Sequence, residues 1–114
     1  MTAYILARVD VRDWDRYGEY VKHTPRVIAK FGGRFLIRGG DAVTLEGPAE
    51  TLRIVLIEFP SLDQAKAFHA SPDYQRVKAL RDGAGTGTFT AIEGVPLEAW
   101  NVARDASEAL PPLP

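Results

Sequence analysis

Residues 52–65 read LRIVLIEFPSLDQA. Leu52–Phe59 is the strongest strand signal in the chain, rich in Leu, Ile and Val on both faces until Glu58. Pro60 ends it, since proline cannot donate to a sheet ladder. Ser61, followed three residues later by Gln64, forms a capping box that opens a helix carrying Leu62, Ala65 and Phe68. A strand apolar on both faces needs cover on both sides. The rest of the chain must supply that cover or leave one side unprotected.

Working outward, Ala3–Val11 alternates strictly, with Ile5, Ala7, Val9 and Val11 on one face and Tyr4, Leu6, Arg8 and Asp10 on the other. That period of two predicts a strand. Trp14, Tyr17, Val21, Ile28 and Phe31 then recur at helical spacing, Asp13 can cap the start and Gly32 can end it. Pro25 lies inside this helix, where a kink or break is expected near Thr24. Arg34–Arg38 reads as a second strand, and Ala42–Leu45 as a short extension reached through the Gly39–Gly40–Asp41 turn. After the Ser61 helix, Ser71, Pro72 and Asp73 mark a further helix start, running to about Asp82. Thr86–Glu93 predicts the last strand. From Val95 the composition changes: a short helix is expected around 98–109, followed by PPLP.

The resulting order is β-α-β-β-α-β, the split-βαβ, ferredoxin-like α+β pattern. Residues 1–95 form that domain in this reading, and 96–114 a C-terminal arm or tail. Both helices pack on one sheet face, toward Ile5, Ala7 and Val9; Phe35 and Ile37; Val55, Ile57 and Phe59; Phe89 and Ala91. Alternation sends Tyr4, Leu6, Arg34, Leu36, Arg38, Ile54, Leu56, Glu58 and Ile92 to the other face. That face is too apolar to stay wet. A second copy of the same sheet is its economical cover, giving a homodimeric α/β barrel joined through the open sheet face.

Bulk properties exclude several classes of function. The 114 residues carry a net charge of −1 with pI ≈ 6.1, so there is no basic footprint for nucleic acid. Without cysteine there is no disulfide, no thiolate nucleophile and no Cys-ligated metal. No apolar run approaches the ~18 residues of a membrane span, and the N-terminus lacks signal-peptide character. A cytoplasmic protein with no membrane partner is the expectation. No cofactor motif and no metal-ligand spacing is present.

The stretches FGGRFLIRGG (31–40), LEG (45–47), EFPSLDQA (58–65), SPDYQ (71–75) and LR (80–81) occur in order at fitting spacings. In these the chain resembles a family described only as a domain of unknown function, number 1330, similar to the dimeric α/β-barrel superfamily. The resemblance spans about residues 3–95. It implies a ferredoxin-like protomer and a homodimer, and no established activity.

Candidate site residues follow from the sheet faces. GGRFLIRGG does not cradle phosphate, because its glycines follow a helix and lead into a hairpin instead of opening a helix. They turn the chain. Arg34 and Arg38 would share the inner strand face with Leu36, and either line a ligand cavity or form rim charges. Glu58 ends an apolar strand on that face, where it needs a cation. Arg81 is placed to supply one, or to answer its helix C-terminus. Tyr74, if buried, needs a partner for its hydroxyl. His23 is expected to face solvent opposite the Trp14–Tyr17–Val21 stripe, and His69 to be half-buried. Trp14, Tyr17 and Tyr20 read as helix–sheet core. Ligand-binding candidates are thus Arg34, Arg38, Glu58, Tyr74 and Arg81, with Glu58 and His23 as the acid–base candidates. Two functions fit: a small-molecule-binding dimer, which includes a cofactor-independent enzyme acting on a small organic or anionic substrate, or a non-catalytic dimeric module.

Overall fold

The computed structural model describes residues 1–112; the last two residues of the expected tail lie outside that range. Its elements in chain order are β1 (Ala3–Val11), α1 (Trp14–Lys30), β2 (Arg34–Arg38), β3 (Arg53–Phe59), α2 (Leu62–Ala70), α3 (Pro72–Ala79), β4 (Gly85–Glu93) and α4 (Leu97–Asp105). The four strands form one antiparallel sheet in the order β2-β3-β1-β4. With its helices packed on one side, this is the ferredoxin-like α+β arrangement. The core lies between sheet and helices, where Ile5, Val9, Ile57 and Phe59 meet Tyr17, Ile28 and Phe68.

Local chemistry sets the helix starts. The Asp13 side chain accepts from the Arg16 amide, Ser61 from Gln64 and Ser71 from Tyr74. The Ser61 cap is only half of a capping box, since the Gln64 side chain does not reach back to Ser61 and its Nε2 donates to the Phe31 carbonyl. Gly32 (φ 78°) and Gly39 (φ 66°) turn the chain on either side of β2, in a region that favours glycine.

Five expectations are corrected. First, α1 runs through Pro25 without a break. The proline has no N–H for the Val21 carbonyl, and that oxygen instead accepts from Thr24 Oγ1 at 3.2 Å and Arg38 Nη2 at 2.6 Å. Second, Ala42–Leu45 is not a strand, and Val43 and Leu45 are largely exposed. Both edges of β3 are already occupied, by β2 and β1, and the segment does not pair with the free outer edge of β2. Third, Trp14 is 58% exposed and lies outside the core; it packs edge-on against Tyr17. Fourth, α3 stops at Ala79, and the tail helix spans Leu97–Asp105.

The fifth correction matters most for function. In β2, Arg34 pairs with Glu58 and Phe35 with Ile57, but Ile37 then pairs with Leu56 and Arg38 with Val55. Leu36 is the extra residue of a β-bulge, and one extra residue flips the face of everything beyond it. Ile37 therefore joins Leu56 on the open face, 43% exposed. Arg38 crosses to the helix side with Val55.

Candidate functional site

The bulge brings Arg38 to a cavity between the sheet and helices α1 and α3. Its lining includes Tyr17, Tyr20 and Thr24 from α1, Tyr74 from α3, and Phe35, Arg38 and Arg53 from the strands. About 20 Å³ is open to the centre of a water molecule, enough for roughly one water. The surrounding wall is aromatic and apolar, with polar atoms at a few fixed points.

The polar side chains are hydroxyls and guanidiniums, with no carboxylate or imidazole among them. Tyr20 and Tyr74 are buried, and their hydroxyls meet at 2.9 Å. Burial, followed by the neighbouring Tyr74 hydroxyl, pushes the Tyr20 pKa far up. Burial also raises Tyr17, although Arg53 beside it pulls the other way. Tyr17 and Tyr20 stay phenols at neutral pH. Two hydroxyls joined by one hydrogen bond hold two protons, so one proton of the pair is free to be donated elsewhere.

Three guanidinium groups surround the tyrosines. Arg38 lies 4.4 Å from the Phe35 ring centroid and donates to Val21. Arg53 lies over Trp14 at 5.5 Å and Tyr17 at 6.0 Å. It occupies the space a Cβ on Gly39 would fill, 1.9 Å from its Nη1. Arg81 sits behind the wall, 5.1 Å from the Tyr20 ring and 4.9 Å from the Phe89 ring. The Nε atoms of Arg53 and Arg81 are buried without a hydrogen-bond partner. Among the described residues, none of these three arginines has a carboxylate within salt-bridge distance. A guanidinium has no acceptor capacity. The site can therefore receive an oxygen-bearing acceptor or anion, and offers no base.

The expected site residues separate into two groups. Arg38, Tyr74 and Arg81 come together on the helix side. Arg34 and Glu58 remain on the open face, where Arg34 Nε meets Glu58 Oε1 at 3.3 Å. Glu58 and Arg81 do not pair, because they lie on opposite sides of the sheet. His23 is solvent-exposed on α1, 3.8 Å from Glu19. His69 is half-buried on α2, its ring 5.1 Å from that of Tyr74. Burial, then the charges of Lys78 and Arg81, lower its pKa.

Sequence reasoning missed Arg53 and placed Tyr17 and Tyr20 only in the core. The signal for Arg53 was present: it shares strand phase with Val55 and Ile57. The tyrosines carried no such signal, since their hydroxyls acquire a role only through distant α3. Among the described residues, no three His, Asp or Glu side chains cluster as metal ligands, and no helix is long and apolar enough to cross a membrane.

Comparison with curated proteins finds no match. Solved structures similar in fold include RPA0582 from Rhodopseudomonas palustris, a protein of unknown function (18% identity, TM-score 0.67, 83% of each chain). A dimeric ferredoxin-like protein of unknown function from Jannaschia sp. CCS1 matches at 14% identity and TM-score 0.62, over 82% of this chain and all of that one. SnoaB, a cofactor-independent oxygenase from Streptomyces nogalater, matches at 11% identity and TM-score 0.60, over 83% and 94%. Such identities speak for fold alone. The family model for the domain of unknown function DUF1330 matches residues 2–95, and the chain belongs to that family.

Proposed function

We propose that this protein binds a small organic anion or carbonyl compound in the arginine–tyrosine cavity and works as a homodimer. The observation that carries the reading is the lining: two guanidiniums, Arg38 and Arg53, with Arg81 behind the tyrosines and a spare tyrosine proton, and among the described residues no carboxylate to balance them. Leaving the buried Nε atoms of Arg53 and Arg81 without a partner is costly, and a ligand oxyanion is the counter-charge that fits. Arg38 and Arg53, both long and flexible, are the wall that moves to enlarge the small space. A cofactor-independent enzyme is one form of this reading, since such donors aimed at a developing oxyanion lower a barrier without any cofactor.

The dimer rests on the open sheet face. Leu36, Ile37 and Ile92 are 40%, 43% and 47% exposed there, alongside half-buried Leu6, Ile54 and Leu56. The bulge enlarges the patch by adding Ile37. A second sheet packed against it would also enclose Arg34 and Glu58, which keeps Glu58 as a candidate for ligand or proton contact on that side. His23, on the outer surface of α1, does not line this cavity, so an acid–base role for it would need substrate bound outside. A cytoplasmic setting belongs to the same proposal.

A non-catalytic dimeric module is the second reading, favoured by one observation: Arg38 already has an acceptor in Val21. A thermal-shift screen of small carboxylates, phenolates and 1,3-dicarbonyl compounds separates the two. Binding predicts a ligand that stabilises the wild type and loses most of that effect in Arg38→Ala and Tyr74→Phe. Stabilisation unchanged in both variants, or no response across the screen, favours the module.

A further inference from the structure

A second recess lies on the outer surface where α1 meets α3, apart from the arginine–tyrosine cavity. It is an open groove of about 1170 Å³. Val27, Val77 and Leu80 form its apolar floor, and Lys22, Arg26, Lys30 and Arg76 its cationic walls. Asp73 also lines it, but its carboxylate already holds Lys30, at 2.6 Å, and Arg76. Among the described residues, Lys22 and Arg26 have no carboxylate within salt-bridge distance. An apolar floor beside the two free cations of α1 suits an amphipathic acidic segment.

The same chain presents one. Leu97, Trp100 and Val102 of α4 are 70%, 56% and 69% exposed, and α4 buries no residue against its own chain. Glu98 and Glu108 have no cationic partner among the described residues, while Arg104 and Asp105 bind each other. At nine residues α4 is closely matched in length to eight-residue α3. It follows β4, at the sheet edge opposite β2, and α1 packs toward the β2 side. The Cα radius of gyration is 17.6 Å, against roughly 13 Å for a compact domain of about 100 residues.

We propose that α4 of one copy docks in the α1–α3 groove of a second copy. Trp100 covers the Val27–Val77–Leu80 floor, and Glu98 and Glu108 answer Lys22 and Arg26. The contact is head-to-tail, joining two different surfaces. It therefore adds to a twofold sheet-face dimer and does not replace it. It is independent of the ligand-binding reading.

Charge reversal tests it in the full chain. Trp14→Phe leaves Trp100 as the sole tryptophan, and its emission should shift to the blue as concentration rises, together with the sedimentation coefficient. Lys22→Glu/Arg26→Glu and Glu98→Lys/Glu108→Lys, each in that background, should abolish both changes while circular dichroism confirms folding. Mixing the two reversed proteins should restore them, because each tail then meets an oppositely charged groove on the other protein. Concentration-independent, water-exposed Trp100 emission overturns the proposal. So does blue, concentration-independent Trp100 emission that each reversed variant loses, the combined fourfold variant regains and mixing does not, which places α4 in the groove of its own chain.

Discussion

Tyr20 and Tyr74 meet at one buried hydrogen bond, and neither hydroxyl has solvent to fall back on. Tyr20→Phe should cost about 1–2 kcal/mol, because it removes a net-favourable bond and strands the Tyr74 hydroxyl. The double variant Tyr20→Phe/Tyr74→Phe should cost less than the sum of the singles, as equilibrium urea unfolding would show. His69 supplies a pH signature. Its pKa is lowered in the fold, first by burial and then by Lys78 and Arg81, so below about 6.5 the unfolded chain binds the proton more readily than the native one. Stability should be intact above that pH and decline as pH falls toward the depressed native value. His69→Gln should flatten that part of the stability–pH profile. Tyr74 was legible as a buried tyrosine seeking a partner, but the identity of the partner was not, since 54 residues separate the two rings.

In α1, the missing N–H of Pro25 and the guanidinium of Arg38 are complementary. An interior proline usually costs about 3 kcal/mol. Here Thr24 and Arg38 occupy the carbonyl it frees. Pro25→Ala should therefore stabilise by less than that figure, and should weaken the effect of Arg38→Ala. A double-mutant cycle read by chemical denaturation would give a coupling of about 1 kcal/mol for the pair. The same helix holds Gly18, around which a Cβ meets nothing within 4 Å; Gly18→Ala should raise stability by roughly 0.5–1 kcal/mol. In β4 the opposite holds. A Cβ on Gly85 would lie 2.1 Å from the Asp10 carbonyl oxygen, so Gly85→Ala must push β4 away from β1 and cost about 1–3 kcal/mol. The order of the helices and strands and most helix starts were readable because they rest on local caps and periodicity; the end of α3 and the absence of a strand at Ala42–Leu45 were not. The bulge at Leu36 was not, since Arg34–Arg38 reads as regular alternation and only its pairing with β3 reveals the extra residue.

At the scale of the molecule, the open sheet face is the proposed surface of assembly. Leu6 and Leu56 sit opposite each other on adjacent central strands, so a charge at either would stand in the middle of the proposed twin-sheet contact. Leu56→Glu should convert the dimer to a monomer in light scattering while leaving the helix-side core folded. A dimer that survives this change would place the contact elsewhere. The reversed-charge variants of α4 test a different surface, and should leave the sheet-face dimer intact.

The sequence alone determined the order of elements, the helix caps, the core-facing set of β1 and β3, and an apolar face without cover. Those features depend on neighbours a few residues apart, where period and capping chemistry act directly. Tertiary structure decided which face Arg38 joins, that Glu58 pairs with Arg34 and not Arg81, and that Tyr17, Tyr20 and Arg53 share one cavity. These outcomes turn on strand register and on helices packed across the sheet, and a one-residue slip in register reverses the face of every side chain that follows.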